Sequence, residues 1–271
     1  MMTLHVGAAQ IAARHGDFTH NLGLIGEFAG QAAASGVEVL LFSEEALHGC
    51  TIAKEAVAAA LPLDAAACRQ VGAIANRQRL TLLVGFVEKD GNTAYNAHLI
   101  AHPDGTLQVQ RKFALNEHEL ANGLTPGPVA RIPIDIHGFR CCIAICADWG
   151  AKAIQEELDR QGCDLLFLPT SGGGTRADMI PRASLQTEDG IRQYVERMKR
   201  VAFPFDLIPY CLQKHRAVVT CNSVGDNGFD RCQEGHCIIM DHTGELVGLI
   251  PGAPVLEYQR SNLTHAKIAQ R

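Results

Sequence analysis

The chain has 271 residues, 47% of them apolar and 20% charged, with a formal net charge of −5. This balance supports a sizeable core and excludes a disordered chain, and the negative sign argues against a phosphate-binding surface, so no nucleic-acid partner is expected. No apolar run approaches the ~20 residues of a membrane span, and MMTLHVGAAQIAARHGD lacks a basic-then-apolar signal pattern, so no membrane partner and a cytoplasmic location are expected.

In chain order, LHVGAAQI predicts a strand, Asn21 to Ser35 a helix ending near Gly36, and EVLLFS (38–43) a buried strand. Leu61 to Arg79 predicts a helix; LTLLVGFV and NAHLIAH predict strands, the second entering a Pro-Asp-Gly turn. RCCIAIC (140–146) predicts a strand, Ala151 to Gln161 a helix, DLLFLP a strand, and Met179 to Lys199 a partly helical stretch. AVVTCNS and GHCIIMD predict the last clear strands, with a turn at His242-Thr243-Gly244. Alternating strands and helices indicate an α/β domain. No Gly/Ser/Pro linker divides the chain, so 1–271 reads as one domain. ASGVEVLLFSEE echoes RQGCDLLFLPTS, and HLIAHPDGTL echoes CIIMDHTGEL. Two related halves packed face to face would explain the echo, and so would ordinary reuse of α/β phrases.

Ten cysteines without a C-x-x-C pair read as free thiols, and no Cys/His grouping has zinc spacing. His98 and His102 lie in strand and turn rather than on one helical face, so no metal is expected. In open α/β sheets, function gathers beyond the carboxyl ends of strands. Three reactive groups stand there: Glu44 and Glu45 after EVLLFS, Cys146 after RCCIAIC, and Arg111-Lys112 after the unit 96–110. A strand-turn-helix junction at Cys146 would expose the thiol and favour its thiolate through the helix dipole. From that stretch alone, nucleophile and small core residue are equal readings of Cys146, whereas Cys141 and Cys142 read as packing within the strand. Glu44 is a candidate base, although a carboxylate pair at a solvated helix start is the alternative.

LLFSEEALHG, QRKFAL and IAICADW, in that order, resemble the three motifs of the nitrilase superfamily of carbon–nitrogen hydrolases. Glu44 and Gly49 fit the first motif, with Ser43 in place of its usual proline; Lys112 fits the second, and Cys146 with Asp148 the third. LTPG (124–127), NSVG (222–225) and GHCIIMDHTGEL extend the resemblance over essentially the whole chain. The chain departs from the family's wording after Cys146, and has Gly235-His236-Cys237 where the family has Gly-Gly-Ser.

The resemblance implies a four-layer αββα sandwich of two related halves, a homodimer or larger assembly, no cofactor, and a small-molecule substrate. An amide or N-carbamoyl compound is favoured over a nitrile. It implies Glu44 as base, Cys146 as nucleophile forming a thioester, and Lys112 with the backbone N–H of Ala147 stabilising the developing charge. A second acid would orient Lys112; Glu117 and Glu119 compete for that place, and Glu119 is preferred as nearer to Thr125-Pro126-Gly127. Asp148 reads as a cap of the following helix. His48 and Trp149 flank the proposed catalytic residues and would line the pocket. Arg176, in SGGGTRADMIPRASL, would hold an acidic substrate group, or lie in a solvated loop with Arg182. FPFDLIPY would add apolar lining or pack at an interface. The competing readings are an acyltransferase using the same thioester, a non-catalytic relative, and a thiol redox protein.

Overall fold

The computed structural model describes residues 2–51, 53–201 and 203–270. In chain order the elements are β1 (Thr3–Gln10), α1 (Phe18–Ala34), β2 (Val39–Phe42), α2 (Glu55–Ala58), α3 (Ala66–Gln78), β3 (Thr81–Asp90), β4 (Thr93–Ala101), β5 (Leu107–Arg111) and α4 (Glu117–Ala121). There follow β6 (Ile134–Ile136), β7 (Phe139–Ile143), α5 (Lys152–Arg160), β8 (Leu165–Thr170), β9 (Gly173–Gly174), α6 (Glu188–Val201) and α7 (Leu207–Lys214). The chain closes with β10 (Ala217–Asn222), β11 (Val224–Asp226), β12 (Cys232–Glu234), β13 (Cys237–Met240), β14 (Leu246–Ile250) and β15 (Asn262–Ala269).

Two six-stranded sheets carry the fold, ordered β15-β1-β2-β3-β4-β5 and β6-β7-β8-β10-β13-β14. Read in those orders, both run antiparallel, parallel, parallel, antiparallel, antiparallel. The halves therefore share one topology, and the sequence echo falls on equivalent places: β2 on β8, and the β4–β5 hairpin on β13–β14.

The two-residue period of each strand assigns its side chains to layers. Leu4, Val6, Leu41 and Leu83 meet Cys141, Ile143, Phe167 and Val219 between the sheets. The alternate residues Leu40, Phe42 and Val84 face Ile25, Phe28 and Val71 of α1 and α3. On the other outer face, Cys142, Leu166 and Val218 pack on Ile154, Leu158 and Cys211 of α5 and α7. The layers are helix, sheet, sheet, helix, as expected. Cys141 and Cys142 are fully buried on opposite faces of β7. Among the described residues, no helix is long and apolar enough to cross a membrane.

Departures from the sequence expectation have local causes. The first helix begins at Phe18, because Asp17 accepts the N–H of His20 at 3.0 Å and caps it. The helix expected from Leu61 begins only at Ala66. Pro62 disfavours a helical Leu61, and Leu61 instead bridges to the β3 backbone. FPFDLIPY is partly a helix: Pro209 sits in the first turn of α7, where its missing N–H leaves no helical bond unmade. The strand expected through Cys146 ends at Ile143. β15 escaped the sequence reading because, as an edge strand, it buries fully only Ile268 and has little alternation to show.

The approach of β3 to the β2 exit depends on Gly85. A Cβ at Gly85 would lie 2.2 Å from the Glu45 nitrogen and 2.4 Å from the Ser43 oxygen. Gly85→Ala should destabilise the protein by roughly 1–3 kcal/mol through overpacking against backbone; an unchanged denaturant midpoint would contradict this.

Candidate active site

β2 ends in a tight turn that begins at Ser43 and includes Glu45 at φ +53°. The turn leaves Glu44 4% exposed beneath the surface. Its backbone N–H donates to the Thr170 carbonyl at the end of β8, joining the equivalent strands of the two sheets. Ser43 Oγ accepts from Ser223 Oγ at 2.8 Å. The residue standing where the resemblance expects proline thus supplies a hydroxyl that ties β2 to the segment after β10.

Lys112 follows β5 and is 1% exposed. Its Nζ donates to Oε1 of Glu44 and to Oε1 of Glu119, each at 2.7 Å. Asn96 Nδ2 donates to the same two oxygens at 2.9 and 2.8 Å. Burial alone would favour the neutral amine, but the charges of Glu44, Cys146 and Glu119 outweigh it and the lysine pKa lies well above its ordinary value. Gly127 holds the lysine's backbone: its N–H donates to the Lys112 carbonyl at 2.7 Å, and a Cβ there would lie 2.5 Å from the Arg111 Cβ.

The choice between Glu117 and Glu119 is made by α4. Asn116 caps this helix by accepting the Glu119 N–H, while Glu119 Oε2 accepts the Asn116 N–H, both at 2.9 Å. The capping box aims Glu119 at Lys112, whereas Glu117 is exposed.

Cys146 opens a five-residue 3₁₀ turn at φ +49° and is partly buried. Its thiol hydrogen-bonds Glu44, and its pKa is pushed up to about 12 by burial and by the Glu44 carboxylate, against the pull of Lys112. The dipole-stabilised thiolate expected from the sequence is therefore corrected. The turn is short, and its local field is outweighed by desolvation and carboxylates. At neutral pH the group is a thiol with a base beside it.

Asp148 is also corrected. It does not cap α5, whose N-cap is Ala151. Instead it is fully buried and accepts from the backbone N–H groups of Phe113, Ala114 and Ile145 and from Arg131 Nη1, at 2.7 to 3.2 Å. One carboxylate thereby fixes the Cys146 turn against the segment leaving Lys112.

A cavity of about 240 Å³ exposes these groups. Its wall includes Glu44, Lys112, Glu119 and Cys146, together with Glu45, Asn96, Cys50, Ser171 and Arg231. Ala147 follows Cys146 with its side chain exposed. Three sequence candidates lie elsewhere. His48 is buried, accepts the Val87 N–H and donates to the Ala59 carbonyl; burial lowers its pKa to about 4, so it is a neutral structural tie. Trp149 turns to the helical side and packs on Tyr210 and Phe205, with ring centroids 4.4 and 5.8 Å away. Arg176 pairs with Asp226 at 2.7 Å in an exposed loop.

The sequence reading missed Asn96 and Glu45 as members of the site. The signal for Asn96 was a polar residue within the otherwise apolar NAHLIA. Glu45 was hidden by its neighbour. It is 4% exposed, its Oε2 has no hydrogen-bond partner among the described residues, and burial with Glu44 and Glu119 raises its pKa to about 8. Thus Lys112 balances two charged carboxylates, and the third remains a neutral acid.

Comparison with known proteins agrees with this geometry. The family model for carbon-nitrogen hydrolase matches residues 5–187. Hydrolases from two Mycobacterium tuberculosis strains are 27% identical over 181 residues, covering 63% of this chain; the match spans 62% of those relatives' length. A nitrilase-superfamily amidase of Nesterenkonia AN1 superposes with TM-score 0.76 at 17% identity, covering 97% of this chain and 90% of that one. Glutamine-dependent NAD+ synthetase of Acinetobacter baumannii superposes with TM-score 0.74 at 18% identity, covering 99% of this chain and 46% of that one. The chain belongs to the carbon–nitrogen hydrolase family and is a carbon–nitrogen hydrolase.

Proposed function

We propose that the enzyme hydrolyses a small amide or N-carbamoyl compound through a thioester on Cys146. The observation that carries this reading is one buried lysine held between two carboxylates, beside a thiol that hydrogen-bonds one of them. The Nesterenkonia amidase supports it: that protein has been seen with the acetamide moiety of fluoroacetamide covalently added at its active-site cysteine.

The chemistry follows from the protonation states. Because the thiol is protonated at rest, Glu44 must take its proton as sulfur attacks the carbonyl carbon. The C–S bond forms and the carbonyl oxygen gains negative charge. Lys112 Nζ and the Ala147 N–H stabilise that oxygen, each such donor being worth roughly 3–4 kcal/mol in a transition state. Collapse breaks the C–N bond, and the departing nitrogen takes the proton from Glu44. Water then gives a proton to Glu44 and attacks the thioester; the C–S bond breaks and the sulfur recovers its proton. Glu119 keeps Lys112 charged and oriented throughout. Asn96 is a positioning residue, since it donates to both carboxylates and leaves each facing the lysine.

Cys146→Ala should abolish hydrolysis of amides that the parent cleaves, and intact mass of the parent should show a transient acyl adduct on Cys146 and not on Cys141 or Cys142. Turnover retained by the variant would sink the assignment. Glu45 predicts a pH effect. In the unfolded chain this carboxyl ionises above about 4.5, while in the fold it holds its proton to about 8. The unfolded state therefore binds fewer protons in that window, and stability falls as pH rises through it, by at most about 1.4 kcal/mol per pH unit. Glu45→Gln lacks this fall, so its thermal-unfolding advantage over the parent should grow from pH 5 to pH 8. A constant difference would contradict the buried neutral acid.

A further inference from the structure

Cys146 borders a second cavity, of about 260 Å³, which shares only Cys146 and Gly172 with the first. Neither Glu44, Lys112 nor Glu119 reaches it. Val201, Pro204 and Phe205, from α6 and the segment before α7, form an apolar wall; Asn222 and His236 face them from the strand ends.

Asn222 and His236 are each 4% exposed. The Asn222 amide nitrogen donates to the Gly172 and Gly235 carbonyls at 2.9 and 3.1 Å, which fixes the identity of its oxygen. That oxygen has no hydrogen-bond partner among the described residues, and neither has Nδ1 of His236. His236 also adopts φ +126°, a region that favours glycine. Its ring stands edge-on to Phe205 at 5.9 Å. Each feature destabilises the fold, and no contact within the chain offsets it. Burial lowers the imidazole pKa to about 4, so the ring is neutral at working pH. Of the charged groups at this wall, Glu234 is held by Arg197 at 2.6 Å, and Arg200 is exposed. The cavity between them is apolar along one side and offers unpaired polar atoms on the other.

Stereochemistry says what fits there. The carbon attacked by Cys146 carries an oxygen that must face Lys112 and a nitrogen that must face Glu44. Its remaining substituent needs neither charge stabilisation nor proton transfer, and the second cavity supplies neither. We propose that this cavity binds the acyl chain of the substrate, and that Asn222 Oδ1 and His236 select chains with an apolar body and a neutral N–H or O–H donor near the tip, such as a hydroxyl, amide or ureido group. The proposal rests on the amide-hydrolase reading.

The test uses two amides of equal size, butyramide and 3-hydroxypropanamide. The parent should favour the hydroxylated amide by about tenfold in kcat/KM, mainly through KM, the effect expected of one such hydrogen bond. His236→Gly should reduce that preference to less than about threefold, while its Tm stays level or rises because glycine relieves the positive φ. Equal use of the two amides by the parent, or an unchanged preference in the variant, overturns the proposal. A second readout is independent of turnover. Crystals of Cys146→Ala grown with 3-hydroxypropanamide should place its hydroxyl within hydrogen-bond distance of Asn222 Oδ1. A chain lying against Glu45 and Arg231, or density in neither cavity, overturns it as well. If the parent hydrolyses neither amide, the hydrolase reading is what fails, and the crystals alone decide the cavity.

Discussion

The structure depends on a buried cation with two anions. Lys112 is almost wholly excluded from water, and its ammonium is tolerable there only because Glu44 and Glu119 each accept from it at 2.7 Å. Removing one partner from such a group leaves an uncompensated buried charge, which is far more damaging than loss of a surface ion pair. Three elements must therefore meet at one point: the exit of β2, the exit of β5 and the first turn of α4. The fold holds each by its backbone as well as its side chain. Glu44 is tied across to Thr170, Lys112 to Asn96 and Gly127, and Glu119 to Asn116.

The duplicated architecture provides the rigidity. Equivalent strands β2 and β8 come together at their carboxyl ends, and the Ser43–Ser223 hydrogen bond continues the seam between sheets. The nucleophile enters from the second half, on the turn after β7. Asp148 binds that turn to the backbone just beyond Lys112, so the thiol and the lysine are placed by one buried carboxylate. The site is thus built where the two halves touch, and its precision comes from backbone bonds rather than from loop packing.

Strain collects at the same seam. Glu45, Cys146 and His236 are non-glycine residues with positive φ, and all three lie in the walls of the two cavities that meet at the sulfur. Each cavity wall also holds buried polar atoms without partners. Such features are tolerated where the surrounding structure over-determines the backbone, and they mark functional surfaces. The acid-rich cavity holds the proton-transfer groups, while the second cavity is apolar and neutral, a division that suits the two sides of a scissile amide.

Much of this was legible in the residues. Apolar runs of strand length, alternating with Ala-rich helices, determined an α/β chain. The repeated phrases around β2 and β8 located its internal duplication, and Glu44, Lys112 and Cys146 stood out as polar groups at strand ends. Local pattern was sufficient because burial of a strand is a local property of alternating side chains. The tertiary structure alone decided which of these groups meet. Glu44 and Lys112 are 68 positions apart, and Glu44 and Asn96 are 52 apart, so their contact depends on strand order and register. Proximity in sequence misled at His48 and Trp149 for the converse reason. The positive-φ turns at Glu45 and Cys146 redirect the chain and carry those neighbours away from the cavity. Sequence determined which chemical groups were present at the ends of strands; the stacking of two sheets determined which of them share a site.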